Sequence, residues 1–249
     1  GARHAAGKHM RICLVSETWA PEINGVAHTL GHLSREAGAR GHPLQLVRPR
    51  PRLPAPAPGE GMDGELRVHG LPMPGYPQVR FGLPAPRRLA RLWLQQRPDV
   101  VYLATQGPLG WSAQRVARRL GIPCVAGWHT NFDHYCHDYG VPWLSGPVRR
   151  RLRTFHNRSE ATLVPTRQQA DALAADGFRG LQVMARGIDG KRFSPDHRDS
   201  ELRRRWGAGE HTPVVLHVGR LAPEKNLALL RESCVALREA RPDARVVIV

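Results

Sequence analysis

Lysine is nearly absent from this 249-residue chain: Lys8, Lys191 and Lys225 are the only lysines among 37 basic residues. Acidic residues are also few, 21 in all, so the formal net charge is +16. A surplus of that size favours anionic partners, whether nucleic acid, phosphorylated ligands or an acidic membrane face. Arginine bias beside heavy alanine, proline and glycine use is equally a mark of genomic base composition, so charge alone selects no function. The four cysteines (Cys13, Cys124, Cys136, Cys234) form no C-x-x-C pair. That excludes a disulfide scaffold and reads as reduced, cytosolic usage. No apolar run approaches the ~18–20 residues needed to cross a bilayer. Nucleophile elbow, P-loop and H-E-x-x-H are missing, no carboxylate pair has hydrolytic spacing, and no G-x-G-x-x-G follows the first strand.

What is present describes a globular protein, with 41% hydrophobic and 23% charged residues. Gly1 to His9 is basic and histidine-rich, and is expected to be a tail or leader without a structural role. From Met10 the pattern alternates strand and helix. Strands are expected at Met10–Val15, Pro43–Val47, Val100–Leu103, Pro123–Gly127, Ala161–Pro165 and Leu181–Met184. Between them, helical spacing predicts helices over 26–40, 86–96, 109–120, 147–160 and 167–175. This order predicts an α/β fold, a Rossmann-like parallel sheet with helices on both faces. Prolines from Pro49 to Pro58 predict an extended surface loop. The polar stretch 191–212 reads as a linker. After it, strand Val214–Val218, a helix over 226–239 and strand Arg245–Val249 open a second, incomplete Rossmann-like domain.

Four segments at expected strand C-termini, where open α/β sheets place ligands, carry the candidate chemistry. Asn24-Gly25-Val26 leads into a helix whose N-terminus offers unpaired N–H groups to a phosphate, and Gly25 permits close approach; an ordinary βα turn reads the same way. The run from His129 to Tyr135, with His137 and Asp138 behind it, is rich in metal-ligand types. Its H-x4-H-x2-H spacing does not match a zinc pair at i, i+4 with a third ligand, so no metal is expected. A pocket wall touching a ligand hydroxyl or phosphate, and a satisfied core histidine, both remain open. Arg186-Gly-Ile-Asp189 reads as a turn in which Asp189 bonds nearby backbone. Gly219-Arg220-Leu-Ala-Pro-Glu-Lys225-Asn226 brings a forked and a point cation to the mouth of a helix, the combination suited to a diphosphate.

Together these segments resemble glycosyltransferase family 4, retaining enzymes of the GT-B fold. The resemblance rests on Asn24-Gly25-Val26, Gly107-Pro-Leu-Gly-Trp-Ser112, His129-Thr-Asn-Phe-x-x-Tyr135, Phe155-His-Asn-Arg158, Arg186-Gly-Ile-Asp189 and Gly219-Arg-Leu-x-x-Glu-Lys-Asn226. The H-T-N-F-x-x-Y form is most similar to the branch of mannosyl- and sulfoquinovosyl-type enzymes that glycosylate lipids. The resemblance implies that Gly25 faces the donor phosphate and that His129 stands beside the transferred sugar and β-phosphate. It implies that Arg220 and Lys225 neutralise the diphosphate leaving group, while Arg186 to Asp189 lie near the interdomain cleft.

The implied function is metal-independent, retaining transfer of a sugar, with mannose as the expected one. The donor would be GDP-mannose or a UDP-sugar, used as substrate and not as cofactor, and the acceptor a lipid or glycan. Residues 10–190 would form the acceptor-side domain and 213–249 the opening elements of the donor-side domain. The resemblance places the family's E-x7-E motif well beyond Val249, so the chain is expected to be a truncated form with little activity by itself. A cytoplasmic location is expected, peripheral on the inner membrane face, with Arg149, Arg150 and Arg153 offering an anionic-membrane contact; no nucleic acid partner is expected. Two alternatives are a GT-B-like nucleotide-sugar 2-epimerase and a basic nucleic-acid- or membrane-binding module. The motif order speaks against both, and no stacking platform, helix-turn-helix or zinc finger supports the module.

Overall fold

The computed structural model describes residues 9–19, 22, 25–51, 62–73, 76–129, 145–219, 221 and 225–249. The proline-rich loop and the N-terminal tail expected from the sequence fall almost wholly outside the described residues. The chain divides into two compact units, one over residues 1–131 and 147–186, the other over 132–146 and 187–249.

The first unit is built on a parallel sheet of seven strands: β1 (Ile12–Val15), β2 (Leu44–Pro49), β3 (Met62–Val68), β6 (Val100–Leu103), β7 (Cys124–Gly127), β8 (Ala161–Val164) and β9 (Leu181–Val183). Their order is β3-β2-β1-β6-β7-β8-β9. A short antiparallel hairpin, β4 (Gly70–Met73) and β5 (Tyr76–Gly82), stands apart from it. Strand β3 and the hairpin have no counterpart in the elements expected from sequence. Asp63, Gly64, Glu65 and Arg67 make β3 polar, as an edge strand tolerates, so no apolar run announces it.

The period-two alternation of the strands assigns the helices. Cys13, Val15, Val47, Val101, Leu103, Cys124 and Ala126 point to one face. There they meet Leu89 and Trp93 of α2 (Pro86–Gln95), Leu109, Ala113 and Val116 of α3 (Pro108–Arg119), and Phe155 of α4 (Ser145–Asn157). Leu14, Leu46 and Tyr102 point the other way, onto Leu30 of α1 (Gly25–Ala39). Helices therefore cover both faces, as expected. A third cluster joins Trp128, Leu152, Val164, Phe178 and, from α5 (Arg167–Ala175), Ala170 and Leu173. Helix α5 starts where Thr166 accepts from the Gln169 N–H, a single-residue N-cap. Cys13 and Cys124 are buried thiols pushed up to about 12 by desolvation, so they pack as small hydrophobes.

In the second unit β10 (Val214–His217) and β11 (Arg245–Ile248) pair in parallel, and α7 (Leu227–Ala240) joins them. The stretch 191–212 is not an open linker throughout. It carries helix α6 (Ser200–Arg205), capped by Asp199, whose carboxylate accepts from the Glu201 and Leu202 N–H groups. Arg203 donates to the Gly209 and Thr212 carbonyls, and Arg245 of β11 to the Gly207 carbonyl. The polarity that suggests a linker thus comes from caps and arginine–carbonyl bonds.

Phe155 is fully buried, between the sheet and Trp111 at a ring separation of 5.1 Å. Phe155→Ala should cost about 3–5 kcal/mol in urea unfolding. Leu94→Ala on α2, at a side chain 71% exposed, should stay within about 0.5 kcal/mol of the parent.

Candidate active site

Strand β1 pairs with β2 on one side and β6 on the other, and the chain leaves it toward α1 on one face and leaves β6 toward α3 on the opposite face. The C-terminal ends of β1 and β6 therefore flank a crevice, the usual ligand position of an open α/β sheet. Glu17, directly after β1, is 7% exposed; its N–H donates to Thr105 Oγ1 at 3.0 Å, and its carboxylate accepts from the Leu109 N–H at 3.2 Å. It thereby satisfies an orphan donor in the first turn of α3. A Cβ on Gly107 would land on that carboxylate, so a larger residue there would displace Glu17 from the Leu109 N–H. Burial pushes Glu17 up to about 7, partly offset by the Leu109 and Gly82 backbone bonds. Farther along the loop, Thr18 donates to Glu22 at 2.5 Å.

The loop delivers Gly25 at the start of α1, where an added Cβ would meet nothing within 4 Å. Among the described residues the missing side chain is thus not required by packing, and open space borders the backbone. Val26 turns its side chain into the core with Leu14 and Leu30, leaving its backbone as the group a ligand can use. Asn24, the third member of this trio, lies outside the described residues.

His129 follows β7 by two residues. Its Nε2 lies 3.0 Å from Tyr102 Oη on the neighbouring strand β6, and its Nδ1 lies 3.5 Å from Arg186 Nη2. A guanidinium can only donate, so the neutral imidazole facing Arg186 accepts at Nδ1 and carries its proton on Nε2, donating to Tyr102. Gly127 is needed for this approach, because a Cβ there would collide with both Tyr102 Oη and His129 Nε2. Desolvation, reinforced by Arg186, lowers His129 to about 4. Burial likewise raises the Tyr102 phenol, with Arg186 opposing. The group is a neutral imidazole between a phenol and an exposed cation. Residues 130–138, with the rest of the histidine-rich motif, lie outside the described residues. Among the described residues no cluster of three metal-ligating side chains occurs.

The satisfied core histidine is a different residue, His156. It is fully buried, receives Gln106 Nε2 at its own Nε2 (3.1 Å) and holds Thr162 Oγ1 at Nδ1 (3.0 Å). Gln106 also donates to the Gly127 carbonyl at 3.1 Å, tying the end of β6 to that of β7. Burial, with a further contribution from His129, lowers His156 to about 3. Glu17, Tyr102 and Gln106 were not singled out from sequence. Tyr102 is hidden in an apolar strand run, and the other two stand singly at strand ends without a motif.

The remaining candidates belong to the second unit. Asp189 accepts from the Lys191 and Arg192 N–H groups at 3.0 and 3.1 Å, the backbone-bonded turn its sequence suggests. Gly219 donates its N–H to the Val249 carbonyl at 3.1 Å, continuing the strand pairing past β10. Lys225 is exposed just before Asn226, whose Oδ1 caps α7 through the Leu229 N–H. Arg220 lies outside the described residues.

The shifted groups set the pH dependence of stability. Below about pH 6.5 the unfolded chain protonates both histidines, which the folded chain refuses until about 4 and 3, so their contribution to stability falls as pH falls. Glu17 acts oppositely, because the folded carboxyl takes its proton near 7 and the unfolded one only near 4.5. Glu17→Gln should therefore steepen the loss of unfolding free energy as the pH is lowered from about 6.5 to 4.5. Urea titrations at pH 6.5, 5.5 and 4.5 measure it; a shallower slope in the variant would contradict the assignment.

Comparison with known proteins gives these positions a context. Residues 23–192 match Glycosyltransferase Family 4. A "GDP-mannose-dependent alpha-mannosyltransferase" of Mycobacterium tuberculosis is 34% identical over 88% of this chain and 58% of its own length. The chain thus spans about three-fifths of that relative. A "Sulfoquinovosyl transferase" of Arabidopsis thaliana is 32% identical over 69% of this chain and 34% of its own length. In fold, a sucrose-phosphate synthase from Thermosynechococcus elongatus superposes with a TM-score of 0.68 at 14% identity, covering 96% of this chain and 62% of that one. With more than half of its length matched from the loop before α1 to the turn after Asp189, the chain belongs to glycosyltransferase family 4.

Proposed function

We propose that this chain carries the acceptor-side domain (residues 10–190) and the opening elements of the donor-side domain (residues 213–249) of a retaining sugar transferase, with residues 191–212 between them. Its donor is a nucleotide-diphosphate sugar, GDP-mannose in the first place, and its acceptor a membrane lipid or lipid-linked glycan. The donor is taken from the name of the M. tuberculosis relative, and the lipid acceptor from the resemblance to lipid-glycosylating enzymes. The observation that carries the reading is the Tyr102–His129–Arg186 group beside the crevice. A neutral imidazole held by a phenol suits a sugar hydroxyl better than a phosphate, and Arg186 supplies a positive charge. Open space at Gly25 and the N-terminus of α1 fit a phosphate.

Charge develops on the departing diphosphate in the transition state. Fixed cations and helix N–H groups directed at it lower the barrier without a metal ion. In this reading Arg220 and Lys225 neutralise the leaving group, with Gly219 leaving room for it, and same-face attack lets the leaving phosphate accept the acceptor's proton. Glu17 holds the first turn of α3 in place beside the crevice. Family membership favours transfer over epimerisation. For the protein as its gene encodes it, His129→Ala should lower kcat for moving labelled mannose from GDP-mannose into a lipid extract by about a hundredfold or more. Activity within twofold of the parent would remove His129 from the mechanism.

The acceptor chemistry favours a cytoplasmic enzyme held at the inner membrane face, and α4 supplies a basic surface for it. Arg149 pairs with the Asp176 carboxylate, and Arg153 donates to the Asp176 carbonyl at 2.8 Å. Both are tied to the end of α5, while Arg150 is exposed. An arginine near an anionic surface adds about 1 kcal/mol. Arg150→Gln should therefore reduce flotation with phosphatidylglycerol vesicles about fivefold and leave it unchanged with phosphatidylcholine. Equal partitioning of parent and variant on both lipids would remove the membrane contact.

A further inference from the structure

Between the outer side of α3 and the C-terminal end of α4 lies a cavity of roughly 340 Å³, lined by Trp111, Gln114, Arg115, Arg118, Arg119 and Arg158. No part of the chemistry described above uses it. Residues 111, 114, 115 and 118 follow the i, i+3, i+4, i+7 spacing of one helical face, so α3 presents them together. The wall is built and not incidental: buried Gln114 spends both amide hydrogens on α4 and its end, at the Phe155 carbonyl (2.7 Å) and Ser159 Oγ (3.0 Å). Trp111 packs at a tilt against Phe155, and Arg151 of α4 lies over its ring at 4.8 Å.

Four arginines line this one concavity, and among the described residues none forms an ion pair with a carboxylate. Arg118 and Arg119 in the last turn of α3 answer its negative pole. Arg158, directly after α4, answers that helix's negative pole in the same way, whereas Arg115 at mid-helix has no such reason. Concentrated like charge is unfavourable unless an anion neutralises it, and the planar fork of arginine matches phosphate bidentately. The volume is at the small end of the ~300–1,000 Å³ usual for ligand sites. It admits a phosphate ester with one ring or a short polyol, for which Trp111 offers a flat apolar wall.

The geometry points to a second anion site here, taking a small phosphorylated ligand and independent of the sugar-transfer reading. Arg118 and Arg119 precede β7, whereas His129 follows its far end, so these two arginines and that imidazole sit at opposite ends of the strand. The ligand is either a soluble phosphate ester or the headgroup of an anionic phospholipid; both present the same group to the arginines.

The test follows the Trp111 indole N–H by NMR in the 249-residue chain, assigned through Trp111→Phe, while inorganic pyrophosphate is added. A saturable shift is expected. The double variant Arg118→Gln/Arg119→Gln should weaken it about tenfold or more, whereas Lys225→Gln and the exposed α2 pair Arg87→Gln/Arg88→Gln should leave it unchanged. All of these arginines are exposed, so the variants keep the fold, and coincident thermal unfolding verifies it. Phosphatidylglycerol vesicles form the second arm. An Arg118/Arg119-dependent shift with vesicles alone identifies a lipid headgroup, and with pyrophosphate alone a soluble ester; either supports the site. No saturable shift in either arm overturns it. So does equal weakening by the α2 pair, which means general charge attraction, or tighter Arg118/Arg119-dependent binding of a ten-nucleotide RNA, which means a nucleic-acid surface.

Discussion

Everything in the first unit depends on β1 pairing with β2 on one edge and β6 on the other. Crossovers between parallel strands are right-handed almost without exception. Moving from β1 to β2 therefore puts α1 on one face, and moving the opposite way from β6 to β9 puts α3, α4 and α5 on the other. Helices diverge at that single line, and the backbone ends of β1 and β6 are left uncovered between them. The crevice is a consequence of strand order, and Glu17, Gly25 and Gln106 sit at its rim because they follow those strand ends.

Burial then decides what the rim can do. The chain carries a formal charge of +16, yet His129 and the core residue His156 are both held neutral by desolvation. Their roles differ through their partners. His156 has both nitrogens bonded to fixed neutral groups, Gln106 and Thr162, inside the core. It is a strut between β6, α4 and β8, and it has no group left for a ligand. His129 is half-buried with a cation at one nitrogen and a phenol at the other. It retains the capacity to exchange either contact for a ligand group. Neutrality is useful in such a site: a protonated imidazole there would repel Arg186, whereas a neutral one accepts from it.

The sequence made the parallel core legible because buried strands are short apolar runs and the helices between them keep a 3.6-residue period. It was silent on β3 and on the β4–β5 hairpin, where charges and prolines break both patterns. His129, Arg186, Gly25 and Lys225 were legible as members of family motifs. Tyr102 was not, since a tyrosine in an apolar strand looks like core until β6 and β7 are placed side by side and Gly127 opens a gap for its hydroxyl. Glu17 likewise becomes meaningful only when Gly107, 90 positions later, is seen to vacate the space its carboxylate fills. Residues joined across adjacent strands leave no spacing rule to read.

The arginines show how little a net charge says before its distribution is known. Arg48 and Arg67 are absorbed by Glu65 across β2 and β3, at 2.5 and 2.9 Å. Arg149 and Arg153 are tied to Asp176, and Arg203 and Arg245 to backbone carbonyls in the second unit. These perform structural tasks that lysine performs less well, because the guanidinium spans two acceptors with one rigid plane. A base-composition bias toward arginine would account for its use in place of lysine, but not for four arginines lining one concavity. A random basic surface spreads its charge to reduce repulsion. Convergence around Trp111, on a wall fixed by the Gln114 bonds, is the arrangement expected where an anion repays the cost of assembling it.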